Sequence, residues 1–350
     1  MPEEYNPGGY SNQETDEIRR LVTIDKVTNL RPIPDADSIE QVNVRGWNIV
    51  TKIGEFKEGD QCVYFEIDSL LPVDDERFAF LAPRGTRNVN DRLYHRLKTA
   101  KLREVYSQGL ALPLSLFPEL AEDVSDVPIA QRLGIIKYEP PAILSGGDIK
   151  GAFPAYLGQK SDAERVQNLV GVWDAVVAAG PYVPTEKIDG MSMSVFMDEE
   201  GDMRVCGRNY EITEGDNIYW RAMRTYSIDS WLKKGQGVQC ELYGAGVQRN
   251  PLKVNGLHIA VFNFIDSRSY LPRSMWPDEV LAYAVPTLDL EMPATVEDAI
   301  SQAEGLQSKV APGQSAEGIV WHQAEGIKVP ELGYRPTWKA VNNRYLLKHE

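Results

Sequence analysis

The chain has 350 residues, 43% hydrophobic and 25% charged, which is enough for about two globular domains with cores of their own. Its formal net charge of −14 argues against a general polyanion-binding surface, so contact with a nucleic acid would need a local patch. The longest apolar run, 169–180, is broken by Asp174 and too short to span a bilayer, and residues 1–20 are acidic and polar without the apolar core of an export signal. Cys62, Cys206 and Cys240 are odd in number and in no Cys-x-x-Cys spacing. They argue against a disulfide framework or a zinc site, and a reducing, cytoplasmic setting is expected.

In chain order, residues 1–20 are rich in Glu, Asn, Gly and Pro and read as a flexible tail. Alternating strands are predicted at 21–27, 40–44, 47–53 and 61–67, with a turn-rich insertion at 31–39 and a tight turn at Glu58-Gly59-Asp60. A closing strand and turn are predicted within 103–114. Short strands at this spacing suit a small β-barrel. The segment resembles the oligonucleotide-binding (OB) barrels appended to tRNA-handling proteins, in which a turn like Pro34-Asp35-Ala36-Asp37 precedes the second strand. Such a barrel implies a nucleic-acid partner, although fold alone does not establish binding. Between residues 84 and 103 stand seven basic residues and one acid, Asp91. That patch suits phosphates, and it equally suits a surface loop balanced by acidic neighbours.

Residues 131–160, with Pro140-Pro141 and Gly146-Gly147, read as a linker. A short helix is predicted over 161–175, capped by Ser161 with Glu164 at the capping-box position, and Arg165 pointing away from an apolar face of Val166, Leu169 and Val170. Then comes Lys187-Ile188-Asp189-Gly190, expected at the mouth of a hairpin-like β element with Gly190 making a tight turn. A lysine there can serve as an amine nucleophile or a phosphate counter-ion, or simply sit in a solvated turn. The rest is mostly strands, with helices predicted near 216–234 and 295–305, the latter capped by Thr295 with Asp298 three residues on. The fold class expected is α+β: an OB-type barrel over 21–130, then an antiparallel-sheet domain over 161–350.

Several chemistries are not supported. There is no Gly-x-x-x-x-Gly-Lys-Ser/Thr loop, and Gly244-Ala245-Gly246 lacks the third glycine of a dinucleotide fingerprint. His95, His258, His322 and His349 are too scattered to suggest a Ser-His-Asp triad or a histidine metal site. Lys, Arg, Asp and Glu near strand ends remain, and these suit nucleotidyl transfer with hard divalent cations.

The order of motifs is specific. Lys187-Ile188-Asp189-Gly190, Gly207-Arg208-Asn209, Cys240-Glu241-Leu242-Tyr243-Gly244, Val261-Phe262-Asn263-Phe264-Ile265, Glu317-Gly318-Ile319-Val320 and Trp338-Lys339 resemble the motifs of covalent nucleotidyltransferases, the polynucleotide ligases and capping enzymes. Glu164-Arg165-Val166-Gln167-Asn168 and the stretch 244–251 narrow the resemblance to ATP-dependent RNA ligases with an N-terminal OB domain, of the Deinococcus and Naegleria type. Only eleven residues follow Lys339, so the barrel that DNA ligases and capping enzymes carry after this motif is not expected.

The resemblance implies that Lys187 attacks the α-phosphorus of ATP to give a lysyl-AMP. Arg208 and Lys339 would hold nucleotide phosphates or sugar, Arg165 the β- and γ-phosphates, Glu186 the base edge, and Gly190 the nucleotide-binding turn. Phe262 would stack on adenine, unless it packs in a core. An ordinary lysine titrates near ~10.4 and bare carboxylates would raise that value, so Asp189, Glu241 and Glu317 are expected to gather Mg²⁺ or Mn²⁺, largely through waters. The partner implied is RNA, or an RNA-containing duplex with a nick or break, bound by a monomer without membrane contact. Two departures stand out: the position two residues past Lys339 is Val341 where relatives carry a second lysine, a role Lys348 could take, and Gly207 replaces a frequent serine. A catalytically silent nucleic-acid-binding protein and a GTP-using capping enzyme are the alternatives.

Overall fold

The structure, a computed structural model, describes residues 21–120, 127–138 and 148–349. The expected tail at 1–20 and the Pro140-Pro141 and Gly146-Gly147 parts of the expected linker lie outside the described residues. The described residues divide into two compact units, one of 21–138 with 346–349 and one of 148–345.

In the N-terminal unit one sheet runs in the order Leu110–Pro113, Gln61–Phe65, Val22–Pro32, Ile39–Val44, Trp47–Lys52. It closes through Val105–Ser107: the Gln108 amide donates to Asn48 O at 2.8 Å and the Val50 amide to Ser107 Oγ at 3.0 Å. Strand Gln61–Phe65 is buried on both faces, which explains its unbroken apolar run. Cys62 and Tyr64 join Trp47, Ile49 and Val42 in one core, while Val63 and Phe65 pack with Leu71, Phe78 and Phe117 in another.

Two readings are corrected here. The first strand does not stop at residue 27 but runs to Pro32 through an irregularity between Thr28 and Arg31, where Asn29 takes a left-handed conformation (φ 56°) that asparagine tolerates. The basic stretch is not a loop: Arg87–Val89 and Arg92–Arg96 form an antiparallel hairpin. Arg92, Arg96 and Lys101 pair with Asp74, Asp68 and Glu104 at 2.8, 2.6 and 2.5 Å, so these three charges are balanced by acidic neighbours, as the alternative to a phosphate patch expects.

The C-terminal unit is built on two antiparallel-dominated sheets. The larger has seven strands in the order Ile149–Ala152, Tyr210–Ile212, Met203–Cys206, Met191–Met197, Gln236–Gly244, Leu257–Asp266, Ser269–Tyr270. The smaller runs Glu164–Arg165, Thr337–Val341, Gly318–Gln323, Tyr182–Lys187. Each buries one face. Met193, Val195, Val238, Cys240 and Leu242 pack under helix Ile218–Thr225, and Ile319, Trp321, Trp338 and Ala340 pack under helix Val296–Ala303. Because strand side chains alternate, Ser192 and Glu241 on one sheet and Lys187 and Lys339 on the other fall on the faces turned away from those helices.

Helix Val296–Ala303 has the expected capping box: Asp298 N donates to Thr295 Oγ1 at 3.0 Å and Thr295 N to Asp298 Oδ2 at 3.1 Å. The single helix expected over 161–175 is not formed. Glu164–Arg165 is a strand paired in parallel with Trp338–Lys339, followed by a 3-10 helix at Val166–Val172 and an α-helix at Trp173–Ala178. Sheet pairing outcompetes the local cap signal, and Glu164 instead accepts from its neighbour's amide and from Asn168 Nδ2, both at 2.8 Å. Val166 and Leu169 are buried as expected, but Val170 is exposed. Among the described residues no helix is long and apolar enough to cross a membrane.

Candidate active site

Lys187 ends the edge strand Tyr182–Lys187, where it pairs with Gly318. The next strand, Met191–Met197, belongs to the other sheet, so Ile188-Asp189-Gly190 is a crossover between sheets rather than a hairpin turn. Two strands that do not pair with each other cannot make a hairpin, whatever the local turn residues suggest. Gly190 is required by close approach: a Cβ there would lie 2.3 Å from Leu242 O and 3.0 Å from Glu241 Cγ. Its carbonyl accepts from Gln248 Nε2 at 2.6 Å.

The crossover brings the acids together around the amine. Lys187 Nζ lies 2.6 Å from Glu317 Oε2, and Glu317 immediately precedes the Gly318 that pairs with Lys187. Burial by itself favours the neutral amine, but Glu317, Glu241 and Asp189 outweigh it and hold the Lys187 pKa above the ordinary lysine value. Glu241 is pushed up to about 8, chiefly by burial, with Lys187 opposing and Glu317 and Asp189 adding to the rise. Burial also raises Glu317. Asp189 Oδ2 accepts from the Tyr345 hydroxyl at 2.8 Å, a contact that brings in the terminal helix Asn343–His349.

Among the described residues, no three Asp, Glu, His or Cys side chains close on one point as a preformed metal cage. The donor set fits a hydrated divalent cation nonetheless. Its members are hard oxygen donors, and buried like charges that resist ionising together are relieved by positive charge.

Arg208 and Lys339 come from different sheets, Arg208 just beyond strand Met203–Cys206 and Lys339 within Thr337–Val341. They meet on one carboxylate: Asp162 Oδ2 accepts from Arg208 Nη2 and Oδ1 from Lys339 Nζ, each at 2.8 Å. Arg165 pairs with Lys339 in the sheet and is buried, not an exposed helix arginine.

Phe262 owes its direction to an irregularity. Cys240 pairs with Val261 and Gln239 with Asn263, leaving Phe262 as the extra residue of a bulge. Ile259, Val261 and Phe264 consequently share one core, while Phe262 is half-buried with Ile188, Tyr243, Ala260 and Ala311 beside the crossover. The Glu186 side chain does not accompany Lys187. It is buried, accepting from Ser308 Oγ and from the Lys309 amide (2.7 Å), and so anchors the loop that carries Val310 and Ala311 into the Phe262 cluster. Burial raises its pKa against those hydrogen bonds.

Of the two departures, one has a visible reason. A Cβ on Gly207 would stand 3.0 Å from Tyr219 Oη, so the phenol takes up the space of a side chain there. Lys348 is exposed on the terminal helix, and Val341 is buried, paired with Gly318. The sequence reading missed Asp162, Tyr345 and Ser308. Each acts through a partner more than a hundred residues away or in another sheet, and no local motif marks them.

An OB barrel followed by two antiparallel-dominated sheets, with a lysine at the edge of one and carboxylates from both, is the architecture of a covalent nucleotidyltransferase. A family model for an OB-fold domain matches residues 21–114, and one for RNA ligase matches residues 180–341. The Naegleria gruberi RNA ligase solved with pyrophosphate is 34% identical, covering 95% of this chain and 99% of its own, at a TM-score of 0.82. A variant of that enzyme solved with AMP and manganese gives the same identity and coverage at 0.83. Another, solved with ATP and manganese, covers 94% of this chain at 0.82. No curated protein matches significantly. The chain belongs to the RNA ligase family.

Proposed function

We propose that this protein is an ATP-dependent RNA ligase that seals a 3′-OH to a 5′-phosphate, with Lys187 as its nucleophile. The observation that carries the assignment of the nucleophile is the convergence of Glu317, Glu241 and Asp189 on one lysine within a family whose Naegleria member was solved with ATP and manganese. The Lys187 amine forms a P–N bond to the α-phosphorus of ATP as the bond to the β-phosphate oxygen breaks, giving lysyl-AMP and pyrophosphate. A 5′-phosphate oxygen of RNA then displaces Lys187 and takes the AMP. Finally the 3′-OH attacks that 5′ phosphorus, and AMP leaves as the phosphodiester forms.

Asp189, Glu241 and Glu317 would hold a divalent cation, largely through waters, and when bound it would supply the positive charge that lowers the Lys187 pKa and screens the α-phosphate. Arg208 and Lys339, brought together from different sheets, would hold the nucleotide phosphate and stabilise charge developing there. Arg165 serves the β- and γ-phosphates, and Phe262 stacks on adenine. Glu186 acts on the base side indirectly, by fixing the 308–311 loop.

RNA is the substrate class, and a nicked or broken RNA-containing duplex bound by a monomer is the form proposed. The domain at 21–130 serves as an RNA platform and the one at 161–350 as the transferase; the stretch read as a linker adds strands to both, Ile136–Lys137 pairing with Ser69–Leu70 and Ile149–Ala152 with Tyr210–Ile212. Three buried free thiols favour an intracellular, reducing setting. Incubation with α-labelled ATP and a divalent metal tests the core of this. Label should reside on Lys187 and disappear in Lys187→Ala; equal label on that variant, or none on the wild type, refutes the assignment.

A further inference from the structure

We infer that Asp162 is a positioning residue, one that presets Arg208 and Lys339 for the nucleotide phosphate; the inference rests on the ligase reading above. A single carboxylate spans the two sheets, with one oxygen 2.8 Å from Arg208 Nη2 and the other 2.8 Å from Lys339 Nζ. The cations are therefore spaced for an anion that presents two oxygens side by side, as a phosphate does.

Asp162 is itself held. Ala163 N donates to its Oδ1 at 2.9 Å, and it lies two residues before Glu164–Arg165, the strand that pairs with Trp338–Lys339. It thus moves with the strand that bears Lys339, and it ties to that strand an arginine from the other sheet. Arginine and lysine side chains lose much rotamer freedom when they clasp a ligand, and a pair already held in place has lost it before the ligand arrives. Arg208, with 46% of its side chain exposed, keeps surface to offer the nucleotide, while Lys339 at 14% is more enclosed.

The test compares wild type, Asp162→Ala and Asp162→Asn in two reactions: lysyl-AMP formation across ATP concentrations, and sealing of RNA whose 5′ end already carries AMP. Asp162→Ala is expected to raise the KM for ATP at least tenfold and to slow the second reaction as well, with a thermal midpoint close to wild type. Asp162→Asn, which still offers one accepting oxygen, should fall between the two. Unchanged KM and rate in Asp162→Ala would overturn the inference. So would tighter ATP binding, which would make the carboxylate a competitor, or a loss that merely follows the folded fraction with no recovery in Asp162→Asn. Failure of the ligase reading itself would show separately, as absence of label on the wild type.

Discussion

The Nζ of Lys187 and Oε2 of Glu317 stand 2.6 Å apart, held there because Lys187 pairs in the sheet with the residue that follows Glu317. This pair favours the charged amine over the opposing effect of burial, and the neighbouring Glu241 and Asp189 reinforce it. An ammonium is not a nucleophile, so attack by this amine requires positive charge among the acids beside it.

Chelation should therefore abolish the first step. A lysine at its ordinary ~10.4 is neutral about once in a thousand at pH 7.4, and Lys187 is held above that value, so lysyl-AMP formation should fall at least ~100-fold with EDTA and recover on adding excess Mg²⁺ or Mn²⁺. Label formed equally well without a divalent cation, quantified after gel separation, would contradict this account.

Phe262 is expected to govern ATP affinity more than stability. Base–aromatic stacking contributes about 1–3 kcal/mol, so Phe262→Leu, which keeps an apolar side chain in the cluster with Ile188 and Ala311, should raise the KM for ATP roughly tenfold. A saturation curve that overlays the wild type would show the ring to be core packing only.

Gly318 is a packing requirement rather than a turn. A Cβ there would meet Ala340 O at 2.2 Å and Val341 Cα at 3.0 Å, so Gly318→Ala must push apart the strands bearing Glu317 and Lys339. Such overpacking costs about 1–3 kcal/mol and should lower the thermal midpoint by at least roughly 3 °C, measured by calorimetry. A midpoint equal to wild type would mean that the strands yield freely.

His322 should make the protein acid-sensitive. Burial pushes its pKa down to about 3, helped by the nearby Arg335 and Arg273, and its Nε2 lies 3.2 Å from Thr185 Oγ1. The unfolded chain takes up the proton below ~6.5 while the folded protein does not, so unfolding binds a proton in that window. The stability tied to the neutral ring is complete above ~6.5 and falls by about 1.4 kcal/mol per unit as pH drops toward about 3. Denaturant midpoints from pH 7 to 5 should thus fall more steeply for wild type than for His322→Gln; parallel slopes would refute the assignment.

Local signals were legible wherever a few consecutive residues suffice. The Thr295–Asp298 capping box forms as its spacing predicts, since both partners lie within one helical turn. The same signal failed at Ser161 and Glu164, because pairing of Glu164–Arg165 with Trp338–Lys339 satisfies that backbone from a strand far away in sequence. Gly190 reads as a turn glycine in the sequence, whereas what forbids a side chain there is the carbonyl of Leu242 in another strand. The direction of Phe262 was open because a bulge, not strand alternation, sets it.

The sequence by itself determined the class of chemistry, since a lysine, its acids and its cations had to be present as residue types in a fixed order along the chain. Only the tertiary structure decided which of them touch. That Asp162 joins Arg208 to Lys339, and that Tyr345 reaches Asp189, follows from strand register and from elements brought together across the chain. Distances between charges fall out of packing, and electrostatic interaction depends on distance, so neither could be read from spacing along the chain.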